Sequence, residues 1–172
     1  MHKLGKLIIS QEQIRRGVES VARELEQDFA GLQPVFISVV PGGIFFTADL
    51  LRQLNFALAM DTISCPHVPG SQNNTSTIVY QQNINIKQRH VILLDDAIES
   101  GGTMSRLCSH ISETFQPASL SIATLFVKQR RKAIAFKQYF AYEIDNNEIL
   151  VGYGLPWQDH WRNLPTIAEL KR

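Results

Sequence analysis

Cysteine is scarce in this chain. Its two cysteines, Cys65 and Cys108, have neither metal-ligand spacing nor the numbers for a disulfide framework. That points to a reducing compartment, the cytoplasm. Long apolar runs are missing too. No segment approaches the roughly 20 residues of a membrane span, and Met1-His2-Lys3-Leu4-Gly5 lacks the apolar core of a signal peptide. Neither sign of charge is in surplus, with 17 Lys plus Arg against 16 Asp plus Glu and a formal net charge of +1. This balance gives no reason to expect a nucleic-acid or membrane partner. The one basic cluster, Lys128, Arg130, Arg131 and Lys132, reads as a solvated loop. Internal repeats and low-complexity tracts are absent as well. At 172 residues, 44% hydrophobic and 19% charged, the chain suits a single domain over residues 1–172 with a full core.

Apolar periodicity alternates between strand and helix. Ser10-Gln11-Glu12-Gln13 reads as a capping box, and Ile14, Val18, Val21, Leu25 and Phe29 recur at helical spacing after it. Pro34 opens a strand through Val40, which Pro41-Gly42-Gly43 ends; a helix over Ile44–Leu54 and a strand over Ala57–Ile63 follow. Residues 66–77 are polar and rich in turn formers, too long for a simple connector. The alternation over Ile78–Ile86 predicts a returning strand. Leu120–Val127, Ala141–Glu143 and Ile149–Val151 read as further strands, and the aromatic segment Tyr153–Trp161 closes the core. The expected class is α/β with a mainly parallel sheet flanked by helices.

One stretch carries more chemistry than any other: Val91-Ile92-Leu93-Leu94-Asp95-Asp96-Ala97-Ile98-Glu99-Ser100-Gly101-Gly102-Thr103. Its apolar start is a strand buried on both faces, and it delivers two adjacent carboxylates. Ser100, Gly101, Gly102 and Thr103 then supply small side chains and backbone N–H groups ahead of a helix over Met104–Phe115. Orphan amides and the helix dipole favour an anion there. Carboxylates alone would repel phosphate, but they suit sugar hydroxyls or Mg²⁺. The implied ligand is a phosphorylated sugar.

This stretch resembles the phosphoribosyl-pyrophosphate (PRPP) signature of type I phosphoribosyltransferases. Val40-Pro41-Gly42-Gly43 with Phe46-Thr47-Ala48-Asp49-Leu50-Leu51 is similar to the pyrophosphate loop and helix of the hypoxanthine-guanine enzymes. Leu125-Phe126-Val127-Lys128, Ala141-Tyr142-Glu143-Ile144, Ile149-Leu150-Val151-Gly152-Tyr153-Gly154-Leu155 and Trp161-Arg162-Asn163-Leu164-Pro165 follow in that subfamily's order. The likeness is colinear from about Pro34 to Pro165. It implies the type I fold, with a mobile loop at about 66–77 and a small hood built from about 141–172 and the N-terminus. It further implies Mg²⁺-dependent transfer of 5-phosphoribose from PRPP to N9 of hypoxanthine or guanine, giving IMP or GMP in purine salvage, by a homodimer or homotetramer. The rival reading is a catalytically weak or silent relative that binds PRPP or nucleotide as a regulator.

The resemblance also assigns roles. Asp95 and Asp96 hold the ribose hydroxyls, directly or through Mg²⁺, and Ser100, Gly101, Gly102 and Thr103 cradle the 5′-phosphate. Glu99 stands where the family has an aspartate near purine N7, and it has the same chemistry on a longer arm. Lys128 donates to the 6-oxo group, Ile149 packs on the base in place of an aromatic, and the Leu150 carbonyl reads the base edge. Arg162, with Pro41, Gly42 and Gly43, contacts pyrophosphate.

Three departures from the family pattern stand out. Pro41 replaces a lysine that follows a cis peptide, and proline lowers the cost of cis, so a cis Val40–Pro41 bond is expected, turning the Gly42 and Gly43 amides toward pyrophosphate. Pro156 replaces a metal-binding aspartate, leaving Asp159 as the nearest acid to substitute. His67-Val68 replaces the Ser-Tyr pair of the lid.

Overall fold

The computed structural model describes residues 3–66 and 75–171. The His67-Val68 pair and most of the expected mobile loop lie outside the described residues. Eleven elements follow in order: β1 (Lys3–Ile9), α1 (Gln11–Phe29), β2 (Val35–Val40), α2 (Ile44–Leu51), β3 (Ala59–Ser64), β4 (His90–Ile98), α3 (Gly102–Phe115), β5 (Ser119–Lys128), β6 (Lys137–Ile144), β7 (Leu150–Val151) and β8 (Ile167–Lys171). Strands β3-β2-β4-β5-β6 form a five-stranded, wholly parallel sheet, and β1-β8-β7 form a small antiparallel one.

Alternation along the strands feeds two cores, one on each face of the large sheet. Ile92 and Leu94 of β4 join Leu25, Phe36 and Phe46 on the side of α1 and α2. Val91 and Leu93 point the other way, toward Met104, Leu107 and Ile111 of α3. Covering both faces with helices is what lets β4 be apolar at every position from Val91 to Leu94. The consequence for function is positional: all five strands deliver their carboxyl ends to one edge, where the β2–α2 and β4–α3 loops meet.

Helix α1 begins as the sequence predicts. The Gln13 N–H donates to Ser10 Oγ at 3.2 Å, and the Ser10 N–H donates to Gln13 Oε1 at 2.8 Å. Gly17 lets the helix lie close on β6, because a Cβ there would sit 2.8 Å from the Tyr142 ring and 2.9 Å from Ala141. The Tyr142 hydroxyl donates to the Gln13 carbonyl at 2.7 Å, fixing the same contact from outside.

Several sequence expectations are corrected. Helix α2 stops at Leu51, short of Leu54, and β3 begins at Ala59. The expected strand over Ile78–Ile86 is absent apart from a two-way bridge between Val79 and Ser64, at 2.9 and 2.8 Å. A buried carboxylate competes for its backbone. Asp61 of β3 accepts from the Asn83 N–H and side chain, each at 2.9 Å, from the Ile84 N–H at 3.3 Å and from the Tyr80 hydroxyl at 3.3 Å. With the Thr62 N–H at 2.9 Å, these donors outweigh the effect of burial and hold the Asp61 pKa below its ordinary value. The small sheet was also largely illegible: β1 and β8 pair antiparallel, Leu4 opposite Leu170 and Ile9 opposite Ile167.

Candidate functional site

The site forms where β2 and β4 end. Strand β4 runs through Ile98, so Asp95 and Asp96 are its last residues but two and three rather than the start of a loop. Asp96 is 7% exposed, while Asp95 keeps partial exposure. Their backbone is locked by their own side chains: the Asp96 N–H donates to Asp95 Oδ1 at 2.9 Å and the Ala97 N–H to Asp96 Oδ1 at 2.7 Å. Burial, then repulsion from Asp96, pushes Asp95 well above the usual carboxylate range, with Arg162 partly offsetting it. Burial also raises Asp96, helped by the charge of Glu99. Two adjacent acids held in this state lack positive charge, which a cation or a set of hydroxyl donors would supply.

The β4–α3 loop turns at Gly101, whose φ of 83° places it in the left-handed region. It is also crowded, since a Cβ there would lie 3.0 Å from the Lys132 carbonyl. The Lys132 N–H donates to the Ser100 carbonyl at 2.8 Å, so the segment after β5 backs this loop. The basic cluster is accordingly not a simple solvated loop. Arg131 reaches Glu143 Oε2 at 3.1 Å and the Lys128 carbonyl at 3.0 Å, with its guanidinium over the Phe140 ring.

On the facing side, the Val40–Pro41 bond is cis, as expected. The buried Ser38 and Thr47 hydroxyls, 2.8 Å apart, tie β2 to α2 across the loop between them. The Gly43 N–H, however, donates to the Val39 carbonyl at 2.8 Å and is not turned into the site. Gly43 is instead a packing glycine: a Cβ would fall 2.8 Å from both the Leu94 and Val39 carbonyls.

These pieces enclose a cleft of about 250 Å³, lined by Pro41, Gly42, Asp95, Asp96, Glu99, Ser100, Gly101, Thr103 and Arg162 among others. Gly102, Gly43, Lys128, Ile149 and Leu150 do not line it. Lys128 approaches from behind, with its Nζ 3.3 Å from Glu99 Oε1 and donating to the Glu148 carbonyl at 2.7 Å. Ile149 borders a separate hollow beside Glu169 and Lys171, and Leu150 is 2% exposed within β7. Asp159 is exposed and lines a neighbouring hollow with Ile44 and Trp161, so it does not join the acid pair. Among the described residues, no cluster of three or more His, Cys, Asp or Glu is placed to hold a metal.

Sequence reasoning missed the turn that packs behind the acid pair and the β2–α2 loop. Gly152 and Gly154 both have φ of 104°, and the Gly154 N–H donates to the Arg162 carbonyl at 2.9 Å. Arg162 Nη1 returns a bond to the Gly154 carbonyl at 2.5 Å, which presents its guanidinium to the acid pair. A Cβ at Gly154 would lie 2.1 Å from the Gly42 carbonyl and 2.9 Å from Asp96 Oδ2. One turn therefore touches the β2–α2 loop, the acids and the arginine together. The pair of glycines flanking Tyr153 was the available signal.

The profile of the phosphoribosyl transferase domain matches residues 8–159. The chain belongs to the phosphoribosyl transferase family. Among its relatives, the hypoxanthine-guanine-xanthine phosphoribosyltransferase of Tritrichomonas foetus is 33% identical over 99% of this chain and 94% of that protein. The hypoxanthine-guanine phosphoribosyltransferase of Streptococcus pneumoniae is 30% identical over 98% of this chain and 94% of its own length. A solved hypoxanthine-guanine phosphoribosyltransferase from Bacillus anthracis superposes with a TM-score of 0.88 at 31% identity, covering 100% of both chains. The five-stranded parallel sheet with flanking helices is thus the phosphoribosyltransferase fold. Among the described residues no helix is long and apolar enough to cross a membrane.

Proposed function

We propose that this phosphoribosyltransferase transfers 5-phosphoribose from PRPP to N9 of a 6-oxopurine, hypoxanthine or guanine, releasing pyrophosphate and IMP or GMP. The observation that carries the reading is the convergence, in one cleft, of the α3 loop, the Asp95–Asp96 pair and Arg162. The relatives' names supply the substrate class, and both cysteines are buried and outside any disulfide, which suits a reducing cytoplasm. We read the chain as a single domain with the β1-β8-β7 sheet as its hood.

In this reading the 5′-phosphate takes the N-terminal amides of α3 and the loop from Ser100 to Thr103. Asp95 and Asp96 accept from the ribose hydroxyls, and their charge faces the positive ribose that develops as the C1′–oxygen bond to pyrophosphate breaks. Arg162 and the Pro41-Gly42 segment hold the departing pyrophosphate, where a fixed guanidinium fork suits two oxygens. The purine N9 forms the new bond to C1′, and the proton the base loses passes to Glu99. Lys128, held against Glu99 at the edge of the cleft, donates to the 6-oxo oxygen, whereas Ile149 and the Leu150 carbonyl lie outside the cleft and are given no contact with the base.

The donor set suits Mg²⁺. That ion is commonly held by one or two carboxylates, with water and substrate phosphates completing its octahedron, so a third protein acid is not required. Asp95 and Asp96, both raised by burial, with the charge of Asp96 acting on Asp95 and that of Glu99 on Asp96, are the residues that would hold it. Bound with PRPP, Mg²⁺ would neutralise charge on the leaving group.

The test is direct: PRPP and Mg²⁺ are mixed with hypoxanthine, guanine, xanthine or adenine, and nucleotide is measured. IMP or GMP formation is expected, with adenine unreactive. PRPP binding without product from any base would favour a nucleotide-sensing regulator over the enzyme.

A further inference from the structure

Lys128 is the more withdrawn partner of its ion pair, its side chain being 15% exposed against 41% for Glu99. An ammonium so far withdrawn from water must keep its three donors paired. One goes to the Glu148 carbonyl at 2.7 Å, and Glu99 Oε1 lies 3.3 Å from the same nitrogen. One donor is thereby hydrogen-bonded and the ammonium is paired in charge with Glu99, leaving N–H groups to offer elsewhere. Glu99 lines the cleft and Lys128 does not. Glu99 is therefore the side chain through which the cleft reaches the ammonium.

We propose that Glu99 is a positioning residue for Lys128, an inference that rests on the purine reading above. One carboxylate oxygen, together with the Glu148 carbonyl, steers the ammonium so that one of its remaining N–H groups meets an acceptor at purine position 6. The second oxygen stays available to the proton that the base loses. The pairing makes discrimination stiff: a base carrying a donor at position 6 meets an ammonium kept in place by the Glu148 carbonyl and the Glu99 charge, with no lone pair to offer. Arm length matters to this device. An aspartate, one methylene shorter, would open the 3.3 Å pair and free the lysine to swing.

Calorimetric titration of the whole protein with IMP, AMP and ribose 5-phosphate tests the assignment. The wild type is compared with Glu99→Ala, Glu99→Gln, Lys128→Met and the Glu99→Ala/Lys128→Met double variant. Glu99→Ala is expected to weaken IMP about tenfold, between the small effect of an exposed pair and the larger one of a fully buried pair, because Glu99 is 41% exposed. Glu99→Gln should recover most of that loss, because its amide oxygen still accepts from the ammonium. In the Lys128→Met background Glu99→Ala should cost nothing further, since the partner it positions is gone. Ribose 5-phosphate should bind all forms alike, which shows that the variants are folded and the phosphate loop intact. Additive losses in the double variant, or Glu99→Gln as weak as Glu99→Ala, would overturn the positioning role alone. A wild type that binds ribose 5-phosphate but not IMP would overturn the purine reading instead.

Discussion

The Tyr153 hydroxyl donates to Asp49 Oδ2 at 2.7 Å, fastening the turn that carries Gly154 to the helix that follows Pro41-Gly42-Gly43. Burial, with Asp49 beside it, pushes the phenol far above its ordinary range, so it stays protonated and donating. The two sides of the cleft are held in register by this bond. Tyr153→Phe should lower stability by about 1 kcal/mol and the melting temperature by roughly 2–4 °C. The PRPP KM should rise more than kcat falls, since the bond positions the cleft rather than touching the reacting atoms. Thermal denaturation and steady-state kinetics check the two halves.

Gly154→Ala is the harsher change. Its methyl would strike the Gly42 carbonyl at 2.1 Å in a backbone conformation, φ 104°, that alanine adopts poorly. A loss of about 2–4 kcal/mol is expected, with PRPP binding abolished. Gly31→Ala is the control, since that glycine also has a positive φ but nothing within 4 Å, and should cost only about 1 kcal/mol. Equal losses in urea melts would mean that strain, not the collision, governs Gly154.

Asp61→Asn removes the charge that collects the donors of residues 80–84 and should destabilise by about 2–3 kcal/mol near pH 7. The sign with pH follows from its lowered pKa. Asp61 contributes stability above the unfolded carboxylate value of about 4, and that contribution is lost as pH falls through the lower folded value. The gap between wild type and variant in denaturant melts should therefore shrink below about pH 4.

The acid pair runs the opposite way. Asp95 and Asp96 are raised, so their charged forms burden the fold at neutral pH, and the burden is relieved as pH falls through the raised values. Asp96→Asn should then be more stable than wild type near pH 8, by about 1 kcal/mol, while losing activity with PRPP and Mg²⁺. The difference should close on acidification. A variant that is less stable at every pH would show that the carboxylate is a structural ligand rather than a held-back charge.

The legible parts of this molecule are those whose signal is local. The Ser10 capping box, the helical spacing from Ile14 to Phe29 and the apolar run into Asp95-Asp96 each declare themselves within a few residues. The acids, Ser100, Gly101 and Arg162 do converge as the resemblance implies, while Asp159 stands apart. What was hidden depends on distant partners. Residues 78–86 alternate like a strand, yet Asp61, far back in sequence, takes the donors a neighbouring strand would need. Among the described residues, strand β1 pairs only with β8, which lies at the other end of the sequence and sits between β1 and β7. The Gly43 amide is claimed by Val39, a choice set by loop geometry that composition does not display.

The pairing of Lys3 with Lys171 and Leu4 with Leu170 has a consequence for how the protein comes into being. During synthesis, β2 to β6 are made before β7 and β8. Strand β1, by contrast, has its neighbour β8 made only after all of them. Loop closure over that span is the slowest kind of contact to form. Gly154 and Arg162 lie in the same late segment, so the residues that complete the cleft are made after all five strands of the parallel sheet. A nascent chain of this protein carries its acids long before it can close a cleft around them.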